Sequence, residues 1–102
     1  ALAEHPTAIF AANDMSAFGA MDAVRNRGLV IPDDISLVGF DDLPSAAAVR
    51  PSLTTVHQPL IEMGRVATQM LLEYIGDPAL RTRRIEFDTE LVIRESCCPP
   101  KR

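Results

Sequence analysis

Only two cysteines occur in the 102 residues, Cys97 and Cys98, and they are neighbours. Adjacent thiols cannot staple separate elements, and neither has the spaced partners of a zinc site. His5 and His57 do not complete such a set, so no disulfide framework and no metal or cofactor is expected. A reducing cytoplasm fits this usage. Lysine is scarcer still, with Lys101 alone. Without an earlier lysine or a glycine-rich loop, the means of steadying a nucleotide phosphate are missing. No run approaches the roughly 20 apolar residues of a membrane span. An initiating methionine and a charged, apolar leader are also missing at the start. ALAEHPTAIF instead runs within a few residues into an apolar stretch, as expected of a piece cut from a longer protein.

What is present supports a core: 47% of residues are hydrophobic, and mean hydropathy is +0.08. A chain of this size still leaves a large share of its surface wet. A net charge of -4 and a pI near 5.0 argue against nucleic-acid binding by this segment, which would need clustered cations on one face. The single basic cluster, Arg81, Arg83 and Arg84, follows a helix, where a solvated loop is a plainer reading than a phosphate site.

Residues 7–12 (TAIFAA) read as a short buried strand. Asn13 or Asp14 then offers an N-cap to a helix over Met15 to Arg27, whose Ala17, Ala20, Met21 and Val24 share one face. Gly28 stops it. Phe18 lies about 100° from that face by the 3.6-residue period, which suggests a second contact surface. After the turn signal Pro32-Asp33-Asp34 comes Ile35 to Phe40, apolar on both faces apart from Ser36. That pattern suits a strand covered on both sides in a parallel sheet. Strand, helix and strand make one right-handed βαβ unit. Pro44 to Val49 forms a short helix, Leu53 to His57 an extended piece. Pro59 opens a helix whose Leu60, Met63, Ala67, Met70, Leu71 and Tyr74 form a core stripe. Arg84 to Phe87 and Leu91 to Ile93 are two further short strands, and Arg94-Glu95 is read as a surface pair.

Asp41 and Asp42 end an apolar run, and in extended backbone their side chains point to opposite faces, so they should not act as a dyad. Paired acids at such a place also occur in Mg²⁺-dependent phosphate transfer, but the supporting groups are missing and no enzyme is expected. A turn-capping acidic pair is the alternative. Asn13 has a plain role as an N-cap, which leaves ligand contact open because an amide both donates and accepts. Gln58 lies just before a helix and could be no more than a solvated link. Together Asn13, Asp41 and Gln58 offer convergent polar groups at strand ends, where open α/β sheets bind ligands.

The pieces TAIFAAND, the helix with Gly19 and Arg27-Gly28, IPDDISLVGFDD, PSLTTVHQPLIEMG and ELVIRES occur in this order. From about Thr7 to Pro100 they resemble the C-terminal part of the effector-binding domain of LacI/GalR-family transcription regulators. The resemblance implies a partial α/β fold. It is the parallel-sheet, three-layer, periplasmic-binding-protein-like (type I) fold, with most of a C-terminal lobe and a returning piece of the N-terminal lobe. Residues 1–57 would belong to the C-terminal lobe, 58–88 to the N-terminal lobe, and 89–102 to the C-terminal lobe and tail. Crossovers would lie near His57–Leu60 and Asp88–Glu90. By the same resemblance Asn13, Asp41, Gln58 and Leu60 contact effector, although Leu60 stands where some sugar-binding members carry an aromatic. Phe18, Ser45, Ala48 and Val49 match a dimer surface. A sugar- or nucleoside-like effector would act allosterically in a cytoplasmic homodimer or higher oligomer. Operator DNA would be reached only through a helix-turn-helix outside this chain, and no membrane is involved. A periplasmic sugar-binding protein for transport or chemotaxis is the alternative.

Overall fold

The computed structural model describes residues 5–101. β1 (Ala8–Phe10) leads through a short loop into α1 (Asp14–Asn26). Asn13 caps that helix by accepting from the Ser16 amide at 2.8 Å, satisfying one of the orphan donors of the first turn. Gly28 ends it at φ 75, a conformation that suits glycine because it has no Cβ. β2 (Ser36–Val38) then pairs parallel to β1, with Ile9 opposite Leu37. After α2 (Pro44–Ala48), β3 (Thr55–His57) runs beside β2, tied to it by single parallel bridges, Val38 to Thr54 and Asp41 to His57. β4 (Glu90–Val92) closes the edge antiparallel to β3, with Val56 opposite Leu91. The expected βαβ unit and parallel pairing are present.

The core lies between α1, α2 and these strands. Ala17, Met21 and Val24 of α1 meet Ile35, Leu37, Ala46 and Leu53 in one buried cluster. Leu37 and Leu53 expose none of their surface, and burying such a side chain contributes about 2 kcal/mol. Phe18, expected to stand off the core, is instead partly buried against it. Val49 is placed in the same way, while Ser45 and Ala48 are exposed on α2.

α3 (Leu60–Gly76) behaves differently. Pro59 precedes its first turn instead of occupying it, and no residue of α3 is buried. The stripe of Leu60, Met63, Ala67, Met70, Leu71 and Tyr74 is therefore not core within this chain. Its helical period is correct, but among the described residues only the segment after the helix lies against it: Leu80, Ile85 and Phe87 flank Met63, Met70 and Tyr74 and leave none of them buried. Residues 84–87 do not form the expected strand, because a strand needs a neighbour to receive its backbone hydrogen bonds and none pairs with them among the described residues. The described residues extend 59 Å by 25 by 21 Å. Their radius of gyration is 18.3 Å, against about 13 Å for a compact domain of 100 residues. The helix and the segment after it form an arm.

Candidate functional site

Three loops leave the carboxyl ends of β1, β2 and β3 on the same side of the sheet. The first carries Asn13 and Asp14. Asp14 is fully buried and ties the second loop to the start of β3: Thr55 donates its hydroxyl to Oδ1 at 2.6 Å, and the Leu43 amide donates to Oδ2 at 2.7 Å. Its own amide donates to the Phe40 carbonyl at 3.0 Å. Gly39 makes this close approach possible. A Cβ there would stand 2.3 Å from Asp14 Oδ1 and 2.9 Å from Leu53 Cδ2.

The second loop carries Asp41 and Asp42. They are not in extended backbone as expected: φ is 132 at Asp41 and 63 at Asp42. Such conformations cost a non-glycine residue on the order of 1–3 kcal/mol and persist only when surrounding contacts over-determine them. The contacts are present. Asp41 donates its amide to the Val56 carbonyl at 2.9 Å and accepts the Gln58 amide at 3.2 Å. Its carboxylate accepts from Gln58 Nε2 at 2.8 Å. Asp42 turns the other way. One of its oxygens accepts from Arg94 Nη2 at 2.7 Å, and the other lies 2.9 Å from His57 Nδ1. Partial burial alone would raise the Asp42 carboxyl. The Arg94 and His57 hydrogen bonds outweigh it and hold the group below the usual carboxylate range.

Of the four effector candidates, Asp41 and Gln58 are therefore in direct contact. Leu60 stands at the start of α3, 40% exposed, and lines a cavity of about 530 Å³ with Asp42, Leu43, His57 and Gln58. That volume lies within the range of small-molecule sites. Asn13 has its side-chain oxygen engaged in the cap; neither it nor Asp41 is part of this lining, and Asp41 meets it through Gln58.

Two groups escaped sequence reasoning. Arg94 is no surface residue. Its side chain is 19% exposed, and besides Asp42 it donates to the Leu53 carbonyl at 2.9 Å. Asp14 sits inside the AAND motif as an acid at the first helical position, which reads as an ordinary helix start until the fold places Thr55 beside it. Glu95, by contrast, remains exposed and binds the Ser52 amide and hydroxyl, which lower its carboxyl from the ordinary value. Among the described residues, no group of three or more His, Cys, Asp or Glu side chains is arranged to hold a metal ion.

Residues 1–97 match the model of the periplasmic binding protein-like domain. The chain belongs to that family. Within it the similarity runs to LacI/GalR regulators. A ribose operon repressor from Halalkalibacterium halodurans is 46% identical over 97 residues, covering 93% of this chain and 29% of that protein. The HTH-type transcriptional repressor PurR of Mannheimia succiniciproducens is 41% identical over 96 residues, covering 94% of this chain and 29% of the relative. Among solved structures, a LacI family regulator from Enterococcus faecalis with bound ribose superposes with a TM-score of 0.87 at 35% identity. It covers 95% of this chain and 36% of its own. The periplasmic-binding-protein-like fold expected from the sequence is thus confirmed, and the chain spans less than a third of the curated relatives' length.

Proposed function

We propose that this chain is the effector-binding and dimerisation part of a LacI/GalR-type transcriptional regulator. The observation that carries the reading is the Asp41–Gln58 contact, made where β2 ends and where the chain leaves β3 for the arm. A carboxylate and an amide held together offer acceptors and donors to the hydroxyls of a sugar- or nucleoside-like ligand. The relatives support this class, since one is a ribose operon repressor and one solved structure holds ribose.

In this reading residues 1–57 and 89–102 belong to the C-terminal lobe, and 58–88 return to the N-terminal lobe. Residues 1–4 and 102 lie outside those described. The unburied α3 and the return of β4 to the edge of β3 support that division. Asn13 and Leu60 complete the ligand side, and Phe18, Ser45, Ala48 and Val49 the dimer contact. Ligand bridges the lobes, selects a closed arrangement and so alters operator affinity at a DNA-binding head outside this chain. The protein binds its ligand and does not transform it, and it works in the cytoplasm away from membranes. No helix among the described residues is long and apolar enough to cross one. The repressor relatives favour this over a periplasmic transport protein.

The test is calorimetric titration of the full-length parent with D-ribose and with purine bases, repeated on Asp41→Ala. One ligand should bind the wild type. The variant should lose a charge-assisted hydrogen bond of about 1.5–3 kcal/mol, roughly tenfold to a hundredfold in Kd. Equal affinity in both proteins removes Asp41 from the site.

A further inference from the structure

Asp41 and Asp42 share a loop in which both residues hold positive φ, yet they are secured by different means. Backbone hydrogen bonds to Val56 and Gln58 fasten Asp41 to the end of β3. Asp42 is gripped through its carboxylate, by Arg94 on one oxygen and His57 on the other. Arg94 lies 52 residues further along the chain, just beyond β4, and is itself anchored twice. Its backbone amide donates to Thr54 Oγ1 at 2.9 Å, and Nη1 donates to the Leu53 carbonyl at 2.9 Å. A planar guanidinium whose two nitrogens reach a carbonyl and a carboxylate at once fixes their relative position, as a lysine ammonium does not. With 17% of the Asp42 side chain and 19% of Arg94 exposed, water is a poor substitute partner for either charge. Loss of Arg94 would leave Asp42 partly buried with His57 as its remaining side-chain partner, and loss of Asp42 would leave the guanidinium without a countercharge beside it.

We propose that Arg94 is a positioning residue of the ligand site. By holding Asp42 it keeps the loop in the strained conformation in which Asp41 faces Gln58. Arg94 touches no ligand in this role; it acts through Asp42 on Asp41. The proposal rests on the reading of Asp41 as a ligand contact, and its consequence is that affinity depends on a residue beyond the last strand.

The experiment uses the full-length parent with D-ribose as probe, comparing wild type, Asp41→Ala, Arg94→Met and Arg94→Lys. Circular dichroism melts first establish that each is folded at the titration temperature. Arg94→Met should weaken ribose by about tenfold or more, with Arg94→Lys between it and wild type because charge returns without the fork. Should Arg94→Met not fold, Arg94→Lys carries the comparison. Wild-type affinity in a folded Arg94 variant, alongside a loss in Asp41→Ala, overturns the positioning role and leaves the ligand site standing. A second readout does not depend on ligand. In protein labelled at aspartate, the strong intraresidue amide–Hα NOE of Asp42 reports its positive φ. That signal should weaken in Arg94→Met; its persistence unchanged overturns the proposal. Failure of ribose to bind the wild type counts against ribose as the ligand, and the NOE then decides the positioning role by itself.

Discussion

Asp14 exposes none of its surface, and its two carboxyl oxygens serve donors from β3 and from the loop after β2. Asp14→Ala would strand the Thr55 hydroxyl and the Leu43 amide. Each such buried group costs about 1–3 kcal/mol, so urea unfolding of the parent should lose several kcal/mol for this one change. Gly39→Ala attacks the same point from the other side. A methyl 2.3 Å from Asp14 Oδ1 and 2.9 Å from Leu53 Cδ2 forces those two buried side chains to shift, and about 1–3 kcal/mol of overpacking cost is expected in the same measurement. Asp42 adds a pH dependence. Its folded carboxyl titrates below the ordinary value, so the unfolded chain binds more protons in acid. The stabilisation is complete above the unfolded pKa and is lost as pH falls through the folded one. Urea melts stepped downward in pH should show this loss in wild type and less of it in Asp42→Asn. Asp41 and Gln58 were readable as candidates because Asp41 ends an apolar run and Gln58 ends an extended piece just before a helix. Arg94 and Asp14 were not, because their partners lie 52 and 41 residues away and only the folded sheet brings them together.

Most elements were visible in the sequence, strands included, whereas what each apolar face packs against was not. α1 carries its own cap, its own stop and a face of Ala17, Met21 and Val24, and it forms as read. Asn13→Ala should cost it about 1 kcal/mol, measurable as a lowered midpoint in thermal unfolding. α3 was equally legible as a helix, since periodicity is a local property. Its period alone reads as core, because a stripe of methionine and leucine records only that something packs there; the exposed face was expected only from the resemblance, which assigns residues 58–88 to a lobe whose other part lies outside this chain. The segment 84–87 has strand-forming composition but no adjacent strand, so it stays irregular. The loop at Asp41 and Asp42 was misread for the opposite reason. Aspartate tolerates positive φ better than most residues, and only contacts from β3 and the residue after β4 impose it.

Taken as a whole, the molecule is a small packed lobe with an unshielded arm. Ile61 is 92% exposed, Ile75 65% and Leu72 63%, on a helix with no buried residue. Apolar surface of that extent seeks cover. The isolated 11.1 kDa chain should therefore associate with itself in sedimentation velocity as concentration rises, whereas a monodisperse monomer at high concentration would contradict this. On the proposed reading it should also bind the parent's ligand far more weakly than the parent does, because a cleft needs both walls. A different dependence follows from Ser96. Its carbonyl accepts from the Leu37 amide, and its hydroxyl binds the Leu37 carbonyl and the Thr54 amide, in the seam where β2 and β3 meet only through single bridges. On the ribosome β2 emerges some 60 residues before this serine does, at a synthesis rate of about 5–20 residues per second. For those seconds the seam stands open, and the nascent lobe must wait for its latch while chaperones and proteases have access to it.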